Sequence, residues 1–163
     1  MNRIRTCLWF DTQAEEAARF YTSLFPGSTL GNITHYPNAG QEIHGRPAGS
    51  VLTVEFQVLG HAFIALNGGP LFQFNESVSM MVECADQAEL DDYWDRLTAG
   101  GDPAAQQCGW LKDRYGLSWQ VVPVGLNEML SDPDPAKVER VFAAIMPMTR
   151  LDVAALQRAY AGD

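Results

Sequence analysis

Two stretches decide how this chain is read: residues 14–27, Ala-Glu-Glu-Ala-Ala-Arg-Phe-Tyr-Thr-Ser-Leu-Phe-Pro-Gly, and residues 87–100, Gln-Ala-Glu-Leu-Asp-Asp-Tyr-Trp-Asp-Arg-Leu-Thr-Ala-Gly. In the first, Ala14, Ala17, Ala18, Phe20, Tyr21 and Leu24 recur at helical spacing before Pro26-Gly27 stops the run; in the second, Leu90, Tyr93, Trp94 and Leu97 do so before Gly100-Gly101. Sliding the chain over itself by 73 residues brings Glu16 onto Glu89, Phe20 onto Tyr93, Tyr21 onto Trp94, Leu24 onto Leu97 and Gly27 onto Gly100. Five matches at one offset, inside elements of the same kind, indicate an internal duplication, and a duplication constrains the whole topology.

Each helix follows an alternating strand. Over residues 3–10, Ile4, Leu8 and Phe10 fall on one face and Arg5, Cys7 and Trp9 on the other; Asp11 and Thr12 are the expected caps of the helix that follows. Over 77–84, Val78, Met80, Val82 and Cys84 oppose Ser77, Ser79, Met81 and Glu83, and Asp86 opens the second helix. A strand over 28–36 leads to a loop over 37–49, rich in Gly, Pro and Asn, the best candidate for a lid. Strands over 50–58 and 61–67 are joined by a hairpin turn at Leu59-Gly60, and in the first of them Thr53, Glu55 and Gln57 form a polar face. After the second helix, 106–110 and 117–123 supply closing strands, with 113–116 as their turn. The first half reads as βαβββ and the duplication leads to the same βαβββ unit being expected in the second, giving an α+β chain of one domain over 1–163: module one at 1–74, module two at 75–123 and a helical tail at 124–163. Pro135 starts a helix in the tail, Pro147 ends it, and Asp152 caps a last one; about 40 residues are too few for a separate core.

The formal charge of −9 repels phosphate backbones and anionic lipid, which argues against nucleic acid and membrane surfaces as partners. Cys7, Cys84 and Cys108 lie far apart, without disulfide or zinc-knuckle spacing, and point to a reducing cytoplasm. No stretch nears the ~20 apolar residues of a membrane span, and the opening residues read as a strand rather than an export signal.

The duplicated unit, together with Ala14-Glu-Glu-Ala-Ala-Arg-Phe-Tyr21, residues 79–84, the segment 108–123 (Cys-Gly-Trp-Leu-Lys-Asp-Arg-Tyr-Gly-Leu-Ser-Trp-Gln-Val-Val-Pro) and the tail 148–156, resembles the PhnB-like branch of the glyoxalase, bleomycin-resistance and extradiol-dioxygenase (vicinal oxygen chelate) superfamily. The resemblance implies a cup-shaped incomplete barrel built from the two modules, and a homodimer. It also carries the label 3-demethylubiquinone 3-methyltransferase. A methyltransferase of the Rossmann kind needs a Gly-rich turn between strand and helix, whereas Gly68-Gly69-Pro70 leads into Leu71, Phe72 and Phe74 and reads as a plain turn.

Superfamily enzymes hold a divalent metal at four strand positions filled by His, Glu or Gln, where it chelates two neighbouring substrate oxygens. Carried over residue by residue, these positions are Arg5, Ile64 or Ala65, Ser79 and Gln120. One amide beside an arginine does not make a site for a transition ion, so no cofactor is expected; a displaced set built from His61, Glu55 and His44 or His35 is the alternative. What the cup retains is the lining of a small-molecule pocket: Trp9, Phe63, Met81 and Trp110 as surface, with Arg5, Thr53, Glu55, Ser79 and Gln120 as hydrogen-bonding groups. Arg5 and Glu55 are also placed to pair with each other, and Cys108, followed by Gly109, Trp110 and Lys112, is a secondary candidate as a thiolate nucleophile. Three functions follow: a metal-free binding module or enzyme for a small organic ligand; a metal-dependent lyase, isomerase or dioxygenase with a shifted site; or an assembly protein whose cup is filled by its own aromatics.

Overall fold

The computed structural model describes residues 4–163, so the expected start of the first strand at Arg3 lies outside the described residues. The chain divides into two compact units, Met1–Gln73 and Phe74–Asp163. The first contains β1 (Thr6–Phe10), α1 (Ala14–Leu24), β2 (Thr29–His35), the short α2 (Gln41–His44), β3 (Val51–Val58) and β4 (His61–Asn67). Its sheet runs β1-β4-β3-β2, with β1 and β4 parallel and the other pairs antiparallel. Leu59 and Gly60 both adopt positive φ, 48° and 81°, the left-handed pair a two-residue hairpin requires.

Small residues set how closely α1 approaches its sheet. Ala14, Ala17 and Ala18 are buried beside Tyr21 and Leu24, and the Tyr21 ring stacks on Phe56 at 6.1 Å, which in turn stacks on Phe63 at 5.0 Å. The α1 cap does not come from Asp11 or Thr12. The Oδ1 of Asn67, at the end of β4, accepts the Ala14 N–H at 2.8 Å, while Asp11 is engaged by Arg46. Ile4, expected on the core face of the first strand, is 87% exposed.

The second unit contains β5 (Ser79–Cys84), α3 (Gln87–Thr98), a one-turn 3-10 helix (Pro103–Ala105), β6 (Trp110–Lys112), β7 (Ser118–Pro123), α4 (Leu126–Leu130), α5 (Pro135–Ile145) and α6 (Val153–Ala161). Its sheet runs β5-β7-β6, with β5 parallel and β6 antiparallel to β7. The three strands repeat β1-β4-β3, and only the counterpart of β2 is missing. Both sheets are open, and the α+β class read from the sequence holds; the second unit, however, is βαββ rather than βαβββ. The cause is local. Where the repeat calls for a strand, Asp102 accepts the Ala104 N–H at 2.9 Å and Pro103 offers no N–H to a ladder, so the segment turns.

Asp86 caps α3 by accepting the Glu89 N–H, and Leu90, Tyr93, Trp94 and Leu97 bury its inner face. The tail belongs to this unit. The N–H groups of Cys108 and Gly109 donate to the carbonyls of Met148 and Thr149 at 2.7 and 2.9 Å, and the Gln87 amide both donates to the Leu151 carbonyl and accepts the Val153 N–H. Val141, Ile145, Leu151 and Leu156 are buried.

Candidate functional site

Strand register sorts the expected site residues within each unit. In the first, Trp9 lies opposite Leu66, which lies opposite Thr53, and one row along Cys7, Ile64 and Glu55 are aligned in the same way. Arg5 shares the parity of Cys7 and Trp9. Arg5, Trp9, Thr53 and Glu55 therefore stand on the face of the sheet turned away from α1, over a floor of Ile64 and Leu66. Phe63 does not join them. It pairs with Phe56 on the α1 side and is 6% exposed, a core residue rather than a lining one.

The polar groups of this face are linked. The Nη1 of Arg5 donates to Oε1 of Glu55 at 2.6 Å, and Asn32 Nδ2 donates to Oε2 of Glu55 at 3.3 Å. Both members of the ion pair are partly exposed, 46% and 37%, so the pair is worth less than about 1 kcal/mol and opens at little cost. The Thr34 and Thr53 hydroxyls share a hydrogen bond of 2.6 Å. A bulge between Leu30 and Ile33 brings Gly31 against Glu55, where a Cβ would meet the Glu55 Cβ and carbonyl at 3.1 Å.

At the aromatic end, the Trp9 indole N–H donates to the Gly69 carbonyl at 2.8 Å and Phe72 meets the ring edge-on at 5.0 Å. Gly68 and Gly69 do more than turn the chain. A Cβ on Gly68 would sit 2.2 Å from the Trp9 ring, and one on Gly69 would sit 2.7 Å from the Arg46 guanidinium. Arg46 bonds to Asp11 at 2.8 Å, Tyr36 packs against His44 at 4.6 Å and its hydroxyl donates to the Asn67 carbonyl at 2.6 Å. The segment expected as a lid is thus a folded strap, pinned by Tyr36 and Arg46. Local composition gave no sign of either anchor.

In the second unit Met81, Gln120 and Trp110 form one cross-strand row and Ser79, Ser118 and Lys112 the next, so all four expected residues share one face. The Gln120 amide donates to the Ser79 hydroxyl at 2.9 Å, and Lys112 pairs with Glu76 at 2.5 Å, holding that carboxyl below its ordinary range. Among the described residues, the buried Ser118 hydroxyl has no hydrogen-bond partner. Cys108 is held at φ 53° with its thiol toward the Met146 carbonyl at 3.6 Å, and Cys84 is fully buried, its thiol pushed up to about 12 mainly by burial and then by Glu89 and Asp86.

The residues at the superfamily's metal positions do not suit a divalent ion. The first unit offers Arg5, a cation already paired, and Ile64; the second offers Ser79 and Gln120, which bond to each other. The displaced set is not assembled either. His61 bonds to Thr6 at 2.9 Å, His44 accepts the Arg46 N–H, Glu55 is shared by Arg5 and Asn32, and among the described residues no three His, Cys, Asp or Glu side chains converge.

Two open sheets, each with a central strand parallel to the strand before its helix, define a glyoxalase-like protein. The chain belongs to the 3-demethylubiquinone-9 3-methyltransferase family, the PhnB-like branch of the vicinal oxygen chelate superfamily, whose sequence pattern matches residues 2–122. It is 32% identical to a PhnB protein from Bacillus cereus, provisionally described as a 3-demethylubiquinone-9 3-methyltransferase, over 76% of this chain and 100% of that one, with a TM-score of 0.64. Protein PA1353 from Pseudomonas aeruginosa shares the fold at 20% identity and a TM-score of 0.56, over 76% of this chain and 98% of that one. The fosfomycin resistance protein FosX from Listeria monocytogenes does so at 14% and 0.50, over 78% and 97%. No curated protein matches the chain. Among the described residues no helix is long and apolar enough to cross a membrane.

Proposed function

We propose that this protein binds a small organic molecule on the polar face of its first sheet without a resident divalent metal. The Arg5–Glu55 pair carries this reading, because it sets a cation and its counter-ion where the superfamily sets a metal ligand. Around it stand an apolar floor, Ile64 and Leu66, an indole fixed by Gly69, and a hydroxyl pair, the mixture of apolar surface and few oriented polar groups that small-molecule sites use. The protein acts in the cytoplasm, consistent with three free cysteines, and as a homodimer, for which exposed Phe142 and Met146 on the tail offer apolar surface. Methyl transfer, the activity in the family's name, finds no support in the Gly68-Gly69 turn. Its glycines seat Trp9 and Arg46, and the chain runs on to β5 without a helix whose N-terminus would take a cofactor's charged groups.

A ligand screen by protein-observed NMR, run with and without a strong chelator, tests the proposal. Ligands that perturb Trp9 and Thr53 equally in both conditions are expected. Perturbations that vanish on chelation would transfer the site to the metal-dependent lyases, isomerases and dioxygenases.

A further inference from the structure

We infer that the ligand of the first sheet is an organic acid with an extended apolar body, its carboxylate on Arg5 and its body along Leu66 and Trp9; this rests on the small-molecule reading above. Hydrogen-bond accounting comes first. A guanidinium carries five N–H donors, and Arg5 uses one nitrogen, Nη1, toward Glu55, with no other partner among the described residues. Both oxygens of Glu55 already accept a bond, from Arg5 and from Asn32. The excess on this face is therefore of donors, and an acceptor-rich, anionic head completes it. A planar carboxylate matches the guanidinium fork best.

Length comes second. Arg5 and Trp9 stand four residues apart on one strand and one face, a separation of roughly 13 Å at ~3.3 Å per residue, shortened because Arg5 leans across to Glu55. Between them the floor is apolar, formed by Cys7, Ile64 and Leu66. A compact acid such as acetate would reach the guanidinium and leave the indole bare, whereas a medium-chain or arylalkyl acid spans both. The chain's charge of −9 opposes anions at long range, but the Debye length of about 8 Å at physiological ionic strength leaves the decision to the local pair.

Titration calorimetry with octanoate, octanol, octyltrimethylammonium and acetate reads the inference directly. Octanoate is expected to bind at least tenfold more tightly than the other three, to lose that advantage in Arg5→Gln, to keep part of it in Arg5→Lys, and to bind more tightly in Glu55→Gln, which removes a competing carboxylate. Val138→Ser, in an apolar groove along α5 of the second unit, is expected to leave the affinity unchanged. Equal affinity for the three octyl probes, no octanoate binding, an unchanged affinity in Arg5→Gln or a loss in Val138→Ser would each overturn the acid assignment. Chelator-independent ligands found by NMR would still stand in any of these cases.

Discussion

The Trp9 indole lies on the Gly68 backbone so closely that a single methyl group there would come within 2.2 Å of ring atom Cζ2. Real Cβ contacts do not reach that distance, so a side chain at position 68 and the present Trp9 rotamer exclude each other. The Trp9 N–H bond to Gly69 and the edge contact with Phe72 depend on the same seat.

Gly68→Ala is therefore expected to expel the indole, shifting tryptophan emission to longer wavelength and weakening ligand binding at least tenfold, with the far-ultraviolet spectrum unchanged. The clash lies on the sheet face turned away from α1, so the α1 core is not involved. Unaltered emission and affinity in this variant would show that Trp9 does not line the site.

Asp113 is a second buried device, 2% exposed. Its Oδ1 accepts the N–H groups of Tyr115 and Leu117 at 2.8 and 3.1 Å, and its Oδ2 accepts the Trp119 indole N–H at 2.8 Å, which locks the β6–β7 turn. Asp113→Ala strands three donors and is expected to cost about 3 kcal/mol or more in urea unfolding, with Asp113→Asn costing about half, because an amide cannot accept at both ends. A loss below about 1 kcal/mol in the alanine variant would contradict this role.

Cys84 sets an alkaline limit. Its thiol is pushed up to about 12 by burial in the folded chain, whereas an unfolded thiol titrates near 9. Above that lower value the unfolded state releases a proton that the native state keeps, so native stability falls as pH rises from 9 toward 12, at up to about 1.4 kcal/mol per pH unit. Tyr93, raised chiefly by burial and then by Glu89, adds a decline of the same sign from a higher starting pH. Cys84→Ala is expected to flatten the decline that begins near pH 9, read as melting temperature against pH; an unchanged slope would remove Cys84 as its cause.

The duplication, both main helices, the hairpin and the polar parity of β3 were legible because each leaves a local signal: a period, a cap or a turn residue. The face of Phe63 is not legible in the sequence because β4, His-Ala-Phe-Ile-Ala-Leu-Asn, is apolar at both parities, and only its register with Phe56 shows which face is buried. The strand absent from the second unit does leave a signal, Asp102-Pro103, a turn opening that competes with the strand the repeat calls for. Asn67 as the cap of α1, and Arg46 and Tyr36 as anchors of the 37–49 strap, act across 53, 35 and 31 residues, a range over which no local pattern operates.

The proposal that the Arg5–Glu55 and Gln120–Ser79 pairs stand in place of ion-holding side chains is tested most directly by the metal content of the purified protein. The measurement is elemental mass spectrometry after incubation with zinc, manganese and nickel salts and gel filtration. The account predicts well below one equivalent of any of them, equally in Gln120→Ala. One tightly held equivalent that Gln120→Ala abolishes would contradict it.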